Sequence, residues 1–175
     1  MSAAFPHASV VFGCPIAGEV APISQCADPT FAQGLLGPGV VIQPEGSILF
    51  APADGRVEFI LSTKHALGME TPEGVKFLIH VGLDTNRLEG QGFQLFVQVG
   101  SQVRRGDKLL SFDTQVMAEQ GCSLATPFVF CSNREGWAME LLRTGPVAAG
   151  EDLGGMSRLT LESAFQTPAS TRSPP

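Results

Sequence analysis

Residues 61–93, LSTKHALGMETPEGVKFLIHVGLDTNRLEGQGF, decide how the rest of the chain is read. Two of the chain's three histidines, His65 and His80, lie here, each inside an apolar segment that reads as a β-strand. Between them stands Thr71-Pro72-Glu73-Gly74, with Pro where a turn wants a fixed φ and Gly where it closes. Two strands and a short turn make a hairpin. With Pro72-Glu73 as the loop, Thr71 faces Gly74 and, counting outward, His65 faces His80. Their Cβ atoms are then roughly 4.5–5.5 Å apart on one sheet face. A Pro72-Glu73-Gly74 loop with a bulge would instead put the rings on opposite faces. Both registers are open at this point.

Along 74–82 the faces alternate at every residue: Phe77, Ile79 and Val81 take one side, Lys76, Leu78 and His80 the other. Apolar residues on both sides predict a strand buried between layers, with His80 near its end. A titratable ring there costs desolvation unless it has partners or faces a cleft. By the same period Thr63, His65 and Leu67 share a face, so the Thr63 hydroxyl can hold one ring nitrogen of His65 and aim the other outward. A donor beside a nucleophilic imidazole suits phosphoryl transfer, where catalysis is mostly positioning and charge neutralisation. Two other readings stand beside it: histidines satisfied in the core or at the surface, and a metal pair. The metal pair lacks an obvious third ligand, because no H-x-H, H-E-x-x-H or suitably placed Cys completes it.

Outward from this stretch, the 175 residues are 43% hydrophobic and 16% charged, with 20 Gly, 13 Pro and no Tyr, which favours one turn-rich all-β domain. A net charge of −6 argues against non-specific nucleic-acid binding and leaves room for a basic protein partner. Four scattered Cys without C-x-x-C spacing read as reduced structural thiols. The N-terminus shows no signal-peptide pattern, and no apolar run approaches the roughly 18–20 residues of a membrane span, so the cytoplasm is expected. Residues 1–10 read as a flexible lead-in with a solvated His7, 11–155 as the domain, and 156–175 as a disordered tail.

A short motif occurs twice, as Pro15-Ile16-Ala17-Gly18-Glu19-Val20 and Pro52-Ala53-Asp54-Gly55-Arg56-Val57. Each reads P-x-x-G-x-V, a tight turn opening a half-buried strand, and the pair hints at duplicated units. Between the copies Asp28 is placed to cap one helical turn with Pro29 in its first position. Phe31, Leu35 and Leu36 follow, either as core or as an apolar collar round a site. The glycines of 88–93 lack the spacing and the lysine-bearing helix of a nucleotide cradle. Arg104-Arg105 reads as a solvated turn, 95–99 as a strand, and 114–120 as a helix stopped by Gly121.

The combination of Thr63-Lys64-His65-Ala66, GVKFLIHVGLDT over 74–85, LEGQGF over 88–93, Arg105-Gly106-Asp107 and Thr126-Pro127 closely resembles the glucose-type enzyme IIA (EIIA) domain of the bacterial phosphoenolpyruvate-dependent sugar phosphotransferase system. The match runs from about Phe12 to Gly155. The resemblance implies an antiparallel sandwich-like barrel with short helical turns, of the duplicated hybrid motif type. It implies a phosphotransferase in which His80 is phosphorylated on Nε2, with Nδ1–H held by the Gly82 carbonyl. His65 would donate to the phosphoryl group and Thr63 would orient His65. Phe31, Leu35 and Leu36 match the apolar rim where the histidine-containing phosphocarrier protein docks, and Asp28 and Asp84 match acidic positions that meet an arginine of the donor.

The implied relay runs from that phosphocarrier protein to a cysteine of the sugar-specific EIIB domain, and so to EIIB/EIIC, with the chain peripheral at the membrane through them. No cofactor is obligatory, the intermediate is a phosphohistidine, and a zinc ion can bridge His65 and His80 with a partner's carboxylate. Regulatory target proteins are implied for some relatives. Asn86 and Pro38 depart from the usual residues, which bears on partner specificity. Two rivals remain: a regulatory binding protein of the same fold without transfer, and a biotinyl- or lipoyl-type carrier. Lys64, read as mid-strand, counts against the carrier.

Overall fold

The computed structural model describes residues 10–131, 136–141 and 143–158. Among these residues fourteen strands carry the fold: β1 Val10–Gly13, β2 Gly18–Pro22, β3 Gly39–Pro44, β4 Ile48–Phe50, β5 Gly55–Ile60, β6 Ala66–Glu70, β7 Lys76–His80, β8 Phe93–Leu95, β9 Gln102–Val103, β10 Lys108–Phe112, β11 Thr126–Phe130, β12 Trp137–Leu141, β13 Gly145–Val147 and β14 Asp152–Arg158. Helix is confined to α1 Pro29–Ala32, α2 Thr114–Glu119 and two short 3₁₀ turns among the described residues. α1 starts as its sequence predicts, with Asp28 accepting an N–H bond in the first turn, and Asp113 does the same for α2. The expected lead-in and tail lie outside the described residues, except that Val10 opens β1 and 156–158 close β14.

All sheet pairing is antiparallel, in one eight-stranded sheet, β13-β2-β3-β11-β7-β6-β5-β9, and two three-stranded sheets, β1-β14-β12 and β4-β10-β8. The all-β class therefore holds, but the barrel does not: no sheet closes on itself. Closure requires the two edge strands to meet. Here the edges are β13, paired only with β2, and β9, paired only with β5. After each of these short edges the chain turns out of the large sheet, into β14 and β10, which belong to the smaller sheets. Residues 96–99, expected in a strand, lie outside β8, which stops at Leu95.

The repeated motif is an internal duplication. Gly18 and Gly55 open β2 and β5, and at both a Cβ would press on a carbonyl of the neighbouring strand, that of Gln43 and that of Glu70. Gly13 N–H donates to Pro52 O and Phe50 N–H donates to Pro15 O, each 2.8 Å. The shift that carries Pro15 onto Pro52 also carries Gly13 onto Phe50, so each copy donates to the other, as an approximate two-fold requires. Their second halves match too. Val103 to Leu109 and Val147 to Leu153 both read V-x-x-G-[DE]-x-L, and the acidic side chain closes each turn, Asp107 on Arg104 N–H at 2.8 Å and Glu151 on Ala148 N–H at 2.9 Å.

The main core is built on Phe12, Phe77, Phe128 and Phe130, whose rings pack edge-on or tilted at 4.6–6.2 Å between centroids. Phe77 and Ile79 point into it, as the alternation along β7 requires. On the opposite face of the large sheet, Val41, Val129 and the partly buried Leu78 form a second, smaller cluster with Ile23, Cys26, Phe31 and Leu83. That cluster pins α1 and the loop after β7 against the strand that carries His80.

Candidate active site

The hairpin β6–β7 is real, with Ala66 opposite His80, Leu67 opposite Ile79 and Glu70 opposite Lys76. The register is therefore one residue away from the His65–His80 pairing: the loop is Pro72-Glu73-Gly74, and Gly74 takes φ +95°. Thr71 closes it twice, donating N–H to Val75 O at 2.9 Å and accepting Val75 N–H on its hydroxyl at 3.1 Å. A register slip of one residue reverses the face of every side chain. Yet the rings meet, because His65 is not in a strand. It ends the 61–65 loop between β5 and β6, where Lys64 adopts φ +63° and donates N–H to Leu61 O at 2.8 Å. This left-handed kink turns His65 onto the face that strand alternation would deny it. Lys64 is thus an exposed turn residue, and its expected mid-strand position gives no argument against a carrier module.

Three contacts then run through the pair. Thr63 Oγ1 lies 2.7 Å from His65 Nδ1, His65 Nε2 lies 3.2 Å from His80 Nε2, and His80 Nδ1 lies 2.7 Å from Gly82 O. A carbonyl can only accept, so His80 Nδ1 carries a proton and donates. For neutral rings the remaining protons follow in order: His80 Nε2 is bare, His65 Nε2–H donates to it, and the Thr63 hydroxyl donates to His65 Nδ1. The result is a nucleophilic nitrogen with a donor beside it.

Electrostatics keep both rings neutral. Burial, and then the neighbouring His80, push the His65 imidazole down to about 4, against the contact with Thr63. His80 is likewise lowered by burial, while the Gly82 carbonyl and the charges of Asp28 and Asp84 oppose the shift. His65 is 2% exposed. His80 keeps partial access, at the end of β7.

Phe31 does not line an exposed rim: it is buried, and its ring meets His80 edge-on at 5.3 Å between centroids. Leu35 and Leu36, in the turn after α1, are 60% and 38% exposed. Asp28 and Asp84 flank a surface depression of about 480 Å³ with Pro29, Leu83 and Ser123. Gly82 sits at φ +74°, and a Cβ there would lie 2.5 Å from Thr85 Cγ2 and 2.6 Å from both Met117 Cε and Ser123 O. Sequence reasoning missed Thr85 and Ser123. Thr85 is fully buried, with its hydroxyl donating to Val81 O at 2.7 Å, and Ser123 O accepts from Leu83 N–H at 3.1 Å. The second contact joins segments distant in sequence, so no local pattern announces it.

The family model for the phosphoenolpyruvate-dependent sugar phosphotransferase system, EIIA 1, matches residues 10–136. The chain belongs to that family. It is 38% identical over 138 residues to the glucose-specific EIIA component of Oceanobacillus iheyensis, covering 79% of this chain and 84% of that protein. It is 42% identical over 139 residues to the beta-glucoside-specific EIIBCA component of Dickeya chrysanthemi, of which it spans 22%. Among solved structures, glucose permease IIA from Mycoplasma capricolum superposes with a TM-score of 0.78 at 33% identity, covering 83% of this chain and 94% of that one. An EIIA component is a phosphotransferase that relays a phosphoryl group between the histidine-containing phosphocarrier protein and EIIB, and this is the function of the chain.

Among the described residues no group of three or more His, Cys, Asp or Glu could hold a metal ion in this EIIA domain, and all four thiols are free. No helix among them is long and apolar enough to cross a membrane.

Proposed function

We propose that His80 is the phosphoryl acceptor of the relay, acting through Nε2. One observation carries this assignment: the chain of contacts from Thr63 to Gly82, which leaves His80 Nε2 as the one unprotonated ring nitrogen not already accepting a side-chain hydroxyl. In the forward step the Nε2 lone pair attacks phosphorus as the P–N bond to the donor's histidine breaks, and that histidine leaves neutral. Phosphorylation at Nε2 with Nδ1 protonated makes the His80 ring cationic. The Gly82 carbonyl and the nearby charges of Asp28 and Asp84 favour that charge. His65, released from His80 Nε2, donates its Nε2–H to a phosphoryl oxygen, with Thr63 holding the ring. A thiolate of EIIB then attacks phosphorus, the P–Nε2 bond breaks, and the electron pair returns to Nε2.

Leu35 and Leu36 offer exposed apolar contact beside the site, and the acidic pair Asp28 and Asp84 offers charge for a basic partner. Phosphocarrier docking is assigned to this face, with Gly82 serving as the carbonyl that orients His80. A soluble phosphocarrier as donor places the chain in the cytoplasm, peripheral to the membrane when EIIB and EIIC are engaged. A zinc ion fits only in part: two ligand nitrogens of a tetrahedral site stand about 3.3 Å apart, close to the 3.2 Å between His65 and His80 Nε2. They supply two of the four ligands, so zinc would need a partner's carboxylate.

The test is incubation with phosphoenolpyruvate, enzyme I and the phosphocarrier protein. Acid-labile label should appear on His80 and be absent from His80→Ala. Label that persists in His80→Ala overturns the assignment.

A further inference from the structure

Gly82 enters the site through one atom, its carbonyl oxygen, and the direction of that oxygen is set by the peptide planes on either side of Gly82. The plane containing Gly82 C=O also contains Leu83 N–H, which donates to Ser123 O at 3.1 Å. The preceding plane contains Val81 C=O, and this oxygen accepts the Thr85 hydroxyl at 2.7 Å. Val81 N–H, one plane earlier, donates to His65 O at 2.7 Å. The Thr85 hydroxyl thus closes a backbone clamp that reaches from the loop after β7 to the second histidine. Thr85 is fully buried, and its methyl stands where a Gly82 side chain would be.

Glycine at φ +74° has unusual conformational freedom, so a carbonyl that must hold one hydrogen bond here needs external restraint. The geometry points to Thr85 as a positioning residue for phosphoryl acceptance: its hydroxyl anchors the Val81 carbonyl, keeps Gly82 O on His80 Nδ1–H and thereby leaves Nε2 bare. A neutral hydrogen bond available to one tautomer only biases the ratio by up to about ten-fold. Without it, protons settle on Nε2 in part of the population, and that part cannot attack phosphorus. This inference rests on His80 being the acceptor.

Three full-length variants test it: Thr85→Val, which keeps the shape without the hydroxyl, Thr85→Ser, which keeps the hydroxyl without the methyl, and Thr85→Ala, which removes both. Ring nitrogen-15 NMR reports the His80 tautomer directly and needs no phosphate. The wild-type and Thr85→Ser chains should show protonated Nδ1 and bare Nε2. Thr85→Val should show a tautomer mixture and about a two-fold slower initial labelling of His80, the fall in the bare-Nε2 fraction when a ten-fold bias becomes an even mixture. Should Thr85→Val not fold, Thr85→Ala is compared with Thr85→Ser on the same readouts. An unchanged tautomer in the hydroxyl-less chains, or equal losses in Thr85→Ser and Thr85→Val, overturns the role of the hydroxyl. A wild-type chain that takes no label on His80 overturns the acceptor reading instead, and the tautomer comparison still decides for or against Thr85.

Discussion

An imidazole attacks only through the nitrogen that lacks a proton, so reactivity here depends on where each proton sits. In this site the answer is imposed from both ends, by a carbonyl that can only accept and by a threonine hydroxyl that is left to donate. His65 is then a donor rather than a second nucleophile. His65→Gln removes the imidazole that Thr63 holds with its Nε2–H on His80, and the variant should still be labelled on His80. Passage of the group to EIIB should fall by roughly a hundred-fold, the scale of losing a preorganised donor, when single-turnover transfer is followed.

The same residues fix a pH dependence. The unfolded chain binds the His65 proton near the ordinary value of 6.5, the folded chain only near 4. Between those values the unfolded state holds more protons, so stability rises with pH. The contribution is complete above about 6.5 and is lost as pH falls toward 4. The thermal midpoint should therefore drop from pH 7 to pH 5, and His65→Gln should flatten that slope.

At the scale of elements, the site depends on two loops that break strand regularity at one residue each. Lys64 at φ +63° lifts His65 out of strand alternation. Lys64→Pro demands φ near −65° and removes the N–H that bonds Leu61 O, so it should cost about 3 kcal/mol in denaturant titrations and abolish labelling. Lys64→Asn tolerates the left-handed conformation and should retain both stability and labelling. Gly82→Ala meets three atoms at 2.5–2.6 Å as well as an unfavourable φ. A loss of about 1–3 kcal/mol is expected, measured by urea unfolding, together with slower phosphorylation.

Much of this element level was legible: the hairpin, the faces of β7, the Asp28 cap and the strand-opening glycines. The register was not, because Gly74 closes a two-residue or a three-residue loop equally well as a letter in the sequence. Only its φ of +95° and the paired bonds of Thr71 to Val75 distinguish them. Phe31 stayed open for a related reason: an apolar residue after a helix cap can cover a core or rim a cleft, and only its burial and its contact with the His80 ring place it.

Across the whole molecule, two copies of one unit interlock, and Arg105 stitches the turn of one to the turn of the other. Its guanidinium donates to Gly150 O at 2.7 Å and to Asp152 Oδ1 at 2.8 Å, while its N–H donates to Asp54 Oδ1 at 2.8 Å. It is therefore more than the solvated turn residue its neighbours suggest. Arg105→Ala keeps the N–H bond and loses the two side-chain bonds. With a third of the side chain exposed, the expected cost is about 1 kcal/mol in urea titrations. Because Arg105 belongs to neither loop of the histidine site, labelling of His80 should be unchanged.

Local residue patterns were enough for the all-β class, the first pair of repeated turns and the two histidines with Thr63 before them. Those signals are local: glycine and proline at fixed offsets, two-residue alternation, and a motif specific enough to point to its family. Tertiary structure alone decided that no sheet closes, that Glu151 closes its turn as Asp107 closes the turn of the other copy, and that the histidine rings meet despite a register one residue off. Each of these depends on which distant backbone groups find one another. Ser123 bonding Leu83, β13 and β9 lying at opposite ends of a sheet, and a single left-handed lysine are products of chain closure, and a window of sequence carries no trace of them.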